Sequence, residues 1–320
     1  MLDVFFTIDV EIWCDGWINI DEKFPAAFDR YINGHTANGD FGLHYQLQVL
    51  SEYGLVSTCF VEPLFSARFG QAPLEDIVGL IQDAGHEVQL HLHTEWVDEA
   101  RPPLPINSER KRQHMLHYSL EEQNSLIGIG KALLKKAGSR EITAFRAGSF
   151  GFNRDTLKAL AANNIIFDSS YNATMFGPQS GISENALATQ PFVCEGIVEY
   201  PMAVFNDGLG KLRHLQLTAC SSAEMQSVLW QAHKTGCQSI VILSHNFELM
   251  NARQNRADKV VINRLKDLCR FLDQHRDIFN CRGFLDLPRT TITSQPAISK
   301  APVFSTGKRL FEQALRRVYQ

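Results

Sequence analysis

The sequence predicts an α/β protein whose mostly parallel sheet is covered by helices. Three observations carry that expectation. Short apolar, β-branched runs alternate with helical stripes from one end of the chain to the other. Several of the stripes begin at a recognisable cap, and ionisable residues close several of the apolar runs. Alternation of this kind is what strand–helix–strand units produce.

The first run is Val4 to Ile8. A polar, aromatic-rich stretch from Glu11 to about Asp40 follows it, with Trp13, Trp17, Phe24, Phe28 and Tyr31, before Leu43, Leu47 and Leu50 mark a helix face. Val56 to Val61 reads as a strand because it is β-branched and aromatic. Leu74, Ile77, Val78 and Ile81 fall at the spacing of one buried helical stripe, which Gly85 ends before the strand Glu87 to His91. Ser119 with Glu122 forms a capping-box signal for a helix reaching about Lys136, and the strand Ile142 to Phe145 follows. Asn153 can cap a helix carrying Leu157 and Leu160, before a strand from Ile165 to Phe167. Gly196 to Tyr200 reads as a strand closed by Pro201. A second capping box, Ser221 with Glu224, opens a helix that leads to the strand Ile240 to Leu243. Val261, Leu265, Leu268 and Leu272 then form a strong helical stripe running toward Gly283-Phe284-Leu285. Periodicity gives seven or eight strands and does not choose between a closed barrel and an open sheet. Beyond Pro288 the chain is Thr/Ser/Pro-rich to about Ser305, a linker or surface strap. Lys308 to Tyr319 can form a short amphipathic helix with Leu310, Phe311, Leu315 and Val318, packed on the domain or meeting a partner or membrane surface.

A chain of 320 residues can bury a large core, and α/β barrels of this length form one domain. The formal charge is −4, from 31 basic and 35 acidic residues, which argues against nucleic acid as a partner. Seven scattered cysteines fit thiols in a reducing compartment better than a disulfide framework. The acidic N-terminus is too short for a signal peptide and no apolar run is long enough to span a bilayer, so the expected location is the cytoplasm. The first strand lacks a glycine-rich helix entry, which argues against a dinucleotide site there.

The chemistry gathers where strands end, because the carboxyl edge of a parallel sheet is the usual ligand edge. Thr7-Ile8-Asp9-Val10-Glu11 would place two carboxylates on one side of a strand. Such a pair repels unless a cation or a proton intervenes, or hydrogen bonds within a loop absorb it. His91-Leu92-His93-Thr94-Glu95 offers imidazoles and a carboxylate, the mixed donors that zinc or another transition divalent ion takes. Glu95 pairs with His91 if the chain turns after Thr94, whereas His93 is better placed if it stays extended. Arg146 precedes Ala147-Gly148-Ser149-Phe150-Gly151, a turn that can bring backbone close to a substrate. His245 closes the run Ile240 to Leu243 and can act as an acid or base, while His86, at the opposite strand end, reads as structural.

Together these segments resemble the polysaccharide deacetylase superfamily, also called the NodB-homology or carbohydrate esterase family 4 group, over roughly residues 4 to 286. Asp9-Val10-Glu11 resembles its first motif, Gly85 through His91 the entry to its second, Phe-Arg-Ala-Gly-Ser-Phe its arginine motif, and Ser244-His245 its late histidine motif. The resemblance implies a distorted (β/α) barrel of about seven parallel strands in one catalytic domain, residues 1–290, with inserts near 12–40 and 96–118 and an extension over 291–320. It also implies a divalent-metal hydrolase, zinc being the expected ion, that removes an N-acyl group from an amino sugar or polysaccharide. Asp9 would be the catalytic base, Arg146 its positioning cation and His245 the acid, with Glu11, His91 and either Glu95 or His93 on the metal. Glu95 stands where the family's second metal histidine is usual, and Glu11 replaces the commoner aspartate. Asp168 to Tyr171 and Glu199 to Pro201 resemble pocket segments of secondary importance. A metal amidase acting on a small non-carbohydrate amide and a noncatalytic carbohydrate-binding protein are the competing expectations.

Overall fold

Leu2–Val10 is the first strand, β1, and its apolar residues are buried on both faces, as in a strand flanked by parallel neighbours. The computed structural model describes residues 1–106, 110–182, 187–251, 256–288 and 296–318. Parts of the expected 96–118 insert (107–109), the C-terminal extension (291–295 and 319–320) and the strap after Pro288 (289–295) lie outside the described residues. The remaining main strands are β2 (Ser57–Val61), β3 (Glu87–Leu92), β4 (Ala144–Ala147), β5 (Phe167–Asp168), β6 (Ile197–Glu199), β7 (Ser239–His245) and β8 (Phe279–Cys281). All but β8 lie within or beside an apolar run read from the sequence; β8 falls just before the expected Gly283-Phe284-Leu285 run, which is not itself a strand.

The chain divides into two compact units. One comprises Met1–Ser57, Ala203–Arg282 and Gln295–Gln320; the other comprises Thr58–Met202 and Gly283–Ser294.

In the first unit, β1 pairs in parallel with β7 from Asp3↔Ser239 to Asp9↔His245, and with β8 from Leu2↔Phe279. The helices Leu43–Glu52, Ser222–Lys234 and Lys259–Gln274 cover it. Val261, Leu265, Leu268 and Leu272 are all buried, so the stripe expected there faces the core. Ser221 and Glu224 close the expected capping box: the Ser221 hydroxyl accepts from the Glu224 amide, and the Glu224 carboxylate accepts from the Ser221 amide. A small sheet orders Leu212–His214, Val204–Asn206 and Ser299–Lys300, and the C-terminal helix Val303–Val318 follows. That helix begins five residues before the expected Lys308, and it turns Leu310 and Phe311 to solvent instead of packing them. Its polar side faces inward.

In the second unit, β2, β3, β4, β5 and β6 pair in parallel in that order, and Phe192–Cys194 adds an antiparallel edge. Leu74, Ile77, Val78 and Ile81 of the helix Ala72–Asp83 are buried, as their spacing predicts. The capping boxes at Ser119 and Asn153 start Leu120–Lys136 and Arg154–Ala162. Glu87, at the amino end of β3, accepts hydrogen bonds from the Phe284 and Leu285 amides at 2.7 and 2.9 Å. Gly283 keeps that contact open, because a Cβ there would come within 2.0 Å of the Glu87 carboxyl carbon.

Candidate functional site

The register of β1 against β7 does the first assembly step. Parallel pairing of Asp9 with His245 brings two residues 236 positions apart to the same carboxyl edge. Glu11 joins them: Asp9, Glu11 and His245 each offer a donor atom within 4.8 Å of the others. Asn246 holds this corner, accepting from the Glu11 amide at 3.1 Å and donating to the Glu11 carbonyl at 3.1 Å and the Tyr31 carbonyl at 2.6 Å. Trp13 donates its indole N–H to the Glu11 carboxylate at 2.8 Å and meets Trp17 edge-to-face at 6.1 Å. Trp13 is thus a holder of Glu11 in addition to an aromatic of the early insert. The Glu11 carboxylate is an oxygen donor of the kind a zinc-type divalent ion takes together with imidazole nitrogen, so its chemistry fits the cation that the family resemblance implies.

His245 has a partner that reading the sequence missed. Its Nδ1 lies 2.8 Å from Glu248 Oε1, and the Ser244 hydroxyl donates to Glu248 Oε2 at 3.2 Å. Gln216 donates to the same carboxylate, and Gln46 donates to the Ser244 hydroxyl at 2.7 Å. Burial works against charging the imidazole, but the Glu248 hydrogen bond and charge, with the charges of Glu11 and Asp9, outweigh it and push its pKa up to about 9. A ring whose Nδ1–H is held by a carboxylate presents Nε2 outward. Glu248→Gln is expected to lower the His245 pKa toward its ordinary value, read by NMR titration of the ring in the metal-free protein. An unchanged titration would remove Glu248 as the cause.

The second unit assembles its own groups. His91 and Arg146 are register partners on β3 and β4. His91 Nδ1 lies 2.8 Å from the Arg146 carbonyl oxygen, which can only accept, so Nδ1 carries the proton and Nε2 the lone pair. His93 sits beside it, ring centroids 4.8 Å apart, and the two offer donor atoms within 4.8 Å of each other. Glu95 instead places its carboxylate 3.3 Å from His93 Nδ1, and it belongs to no donor cluster found among the described residues. Gly148 makes this packing feasible, since a Cβ there would meet the Leu92 carbonyl at 2.7 Å and His93 Nδ1 at 2.8 Å. The turn that follows holds Ser149 and Phe150 at φ of 52° and 58°, a left-handed pair uncommon outside glycine.

Arg146 is completely buried. Its guanidinium donates to the Ser169 carbonyl and hydroxyl at 3.0 Å each and lies 4.3 Å from the centre of the Phe60 ring. Asp168 and Glu199 are register partners on β5 and β6. Burial pushes Asp168 up to about 6 against hydrogen bonds from Glu199, Ser170 and the Ser169 amide and the charge of Arg146. Burial and the Asp168 charge push the Glu199 pKa well above the usual carboxylate range. His86 is buried at the far end of β3 from His91.

Glu62 is the second residue that sequence reading missed, although it directly follows the apolar strand β2 as Arg146 follows Phe145. It is buried and accepts from the Leu64 and Phe65 amides at 2.9 and 3.3 Å. Burial pushes its pKa up to about 8; the two amides and the charge of His93 oppose that, and Glu95 adds to it. The folded protein therefore keeps a proton that the unfolded chain releases from about 4.5, and stability falls as pH rises from about 4.5 to about 8. Glu62→Gln is expected to melt above the wild type at pH about 8 and to lose that advantage at pH about 4, by thermal unfolding without metal. Equal melting at both pH values would contradict the raised pKa.

No family model and no curated protein sequence matches the chain. Among solved structures, it is similar to a candidate polysaccharide deacetylase from Mycobacterium smegmatis at TM-score 0.54 and 19% identity, covering 92% of this chain and 94% of that one. A 4-α-glucanotransferase from Thermococcus litoralis gives a TM-score of 0.49 at 9% identity, covering 98% of this chain and 38% of that one. A family 4 carbohydrate esterase from Streptomyces lividans, in complex with acetate, gives 0.44 at 13% identity, covering 93% and 97%. The first likeness shows the fold: the chain shares the α/β fold of that protein.

Proposed function

We propose that the chain removes an N-acyl group, most readily N-acetyl, from an amino sugar or polysaccharide, using a zinc-type divalent cation, with residues 1–290 as one catalytic domain. The observation that carries this reading is the pairing of Asp9 with His245 at matched positions of parallel strands, with Glu11 in donor range of both. A polysaccharide-deacetylase fold supports it.

Glu11 and His91 would hold the cation, with His93 or Glu95 completing the set. When bound, such an ion polarises the acyl carbonyl and acidifies water. Asp9 takes the proton of the attacking water, and Arg146 fixes the Asp9 carboxylate for that task. His245, its Nδ1 held by Glu248, keeps a proton on Nε2 and delivers it to the amine nitrogen as the C–N bond breaks. Its raised basicity supports this role, because the imidazole is already protonated at neutral pH.

Metal content and acetate release test the reading together. His91→Ala is expected to lose stoichiometric metal by elemental analysis, and with it acetate release from N-acetylated glucosamine oligomers. Failure of the metal-loaded protein to release acetate from any N-acyl sugar, with metal retained by His91→Ala, would overturn it. Hydrolysis of a small non-carbohydrate amide alone would keep the chemistry and change the substrate. The noncatalytic reading draws on Glu95 in the usual histidine position, and sugar binding without metal would favour it.

A further inference from the structure

The C-terminal helix Val303–Val318 is docked with its polar side inward. Arg309 is buried, with Nη2 2.9 Å from Asp207 Oδ2 and Nε 3.6 Å from Glu224 Oε1. Thr306 donates to Glu224 at 3.0 Å and accepts from the Gly208 amide at 2.8 Å. Glu312 accepts from Arg264 at 3.0 and 2.7 Å, and Arg316 donates to Asp258 at 2.8 Å. These inward positions recur three and four residues apart, as one helix face requires.

The opposite face is apolar and open. Phe304 is 83% exposed, Val303 67%, Phe311 65% and Leu310 48%. Leu209, 71% exposed, adjoins it, because Gly208 approaches the helix so closely that a Cβ would come within 2.4 Å of Val303 Cα. Scattered single apolar residues on a surface are ordinary; a contiguous group with two projecting phenyl rings marks a contact surface.

Charge indicates what makes the contact. Lys211, Lys300 and Lys308 are exposed, and none has an ion-pair partner among the described residues. Leu212 and Lys300 are both register partners of Asn206, which places Lys211 and Lys300 at the edge that carries Leu209. The one acid between residues 296 and 318, Glu312, is turned inward onto Arg264. A second copy laid on this face would oppose lysines to lysines. Anionic headgroups complement them, as they attract lysines clustered beside a membrane surface.

We propose that this face docks the protein on an anionic membrane surface, with Phe304 and Phe311 entering the headgroup–acyl boundary and the three lysines on the headgroups. The helix lies in the plane of the interface, about 24 Å long at about 1.5 Å per residue.

Co-sedimentation tests this with vesicles of phosphatidylcholine alone and of phosphatidylcholine with phosphatidylglycerol. The wild type is expected to pellet with the anionic vesicles at low salt and to remain in solution with the neutral ones. The pair Phe304→Ser and Phe311→Ser, and the triple Lys211→Glu, Lys300→Glu and Lys308→Glu, are each expected to lose at least about tenfold in partitioning at an unchanged melting temperature. Three results would overturn the proposal. They are a wild type that ignores anionic vesicles, binding that the phenylalanine pair leaves intact, or a lipid-free dimer in sedimentation velocity that the same pair abolishes. The last would assign the face to a second copy.

Discussion

Asp9→Asn is expected to lower kcat for acetate release by about 10²–10⁴-fold, the range for a positioned acid–base group. The substitution keeps the shape of the side chain and leaves the backbone contact intact, in which the Asp9 carbonyl accepts from the Asn246 amide at 3.2 Å. What it removes is a carboxylate able to take a proton from water. KM and metal content should therefore change little, because Glu11, His91 and their neighbours remain. Steady-state kinetics on N-acetylated glucosamine oligomers, with metal analysis on the same samples, separates these effects. A variant with wild-type kcat would remove Asp9 as the base. One that lost metal in proportion to activity would make it a ligand.

Arg309→Ala is expected to destabilise the protein by about 3–5 kcal/mol, the cost of stranding buried partners of a removed charge. Asp207 and Glu224 are both buried, and Arg309 is the cation that meets them. Burial alone would raise the Asp207 pKa, but the Lys211 amide, Arg309 and the Leu209 amide together hold it below 3.8. That depression contributes stability above pH 3.8 and loses it as pH falls through the lower folded value, so the C-terminal helix should loosen first in acid. Urea unfolding at neutral pH checks the magnitude. Arg309→Lys, which retains a charge without the fork, should fall between the two. A loss below about 1 kcal/mol for Arg309→Ala would mean that water reaches the carboxylates.

The parts of the fold that the sequence made legible were those in which one residue pattern has one outcome. Val4 to Ile8, apart from Thr7, and Ile240 to Leu243 are apolar without alternation, as in a short strand buried on both faces. Ser119, Asn153 and Ser221 announce helices because their side chains satisfy amides that would otherwise be orphaned. The C-terminal helix was legible as amphipathic, but not in its orientation. Arg309, Glu312 and Arg316 face inward because Asp207, Arg264 and Asp258, distant in sequence, neutralise them there. The candidate site follows the same rule. Asp9, His91, Arg146 and His245 stand out because each follows or ends an apolar run. Glu248 lies three residues beyond His245 in a polar turn, so only the bend of the chain shows that its carboxylate reaches the imidazole. Glu62 carries the strand-end signal but stands alone, without a second ionisable neighbour in sequence.

The register of β1 also has a consequence for the order in which the molecule is made. Two of its hydrogen-bonded neighbours are residues 239–245 and 279–281, so a ribosome must deliver about 280 residues before that strand has met both of these. Through most of translation the nascent chain carries an apolar segment whose partners at 239–245 and 279–281 are not yet made, and exposed apolar strand of this kind seeks other chains. Closure over so long a loop is also slow relative to local helix formation. Asp9 meets His245 only at that late stage, so this pairing of carboxylate and imidazole cannot exist in a half-made chain.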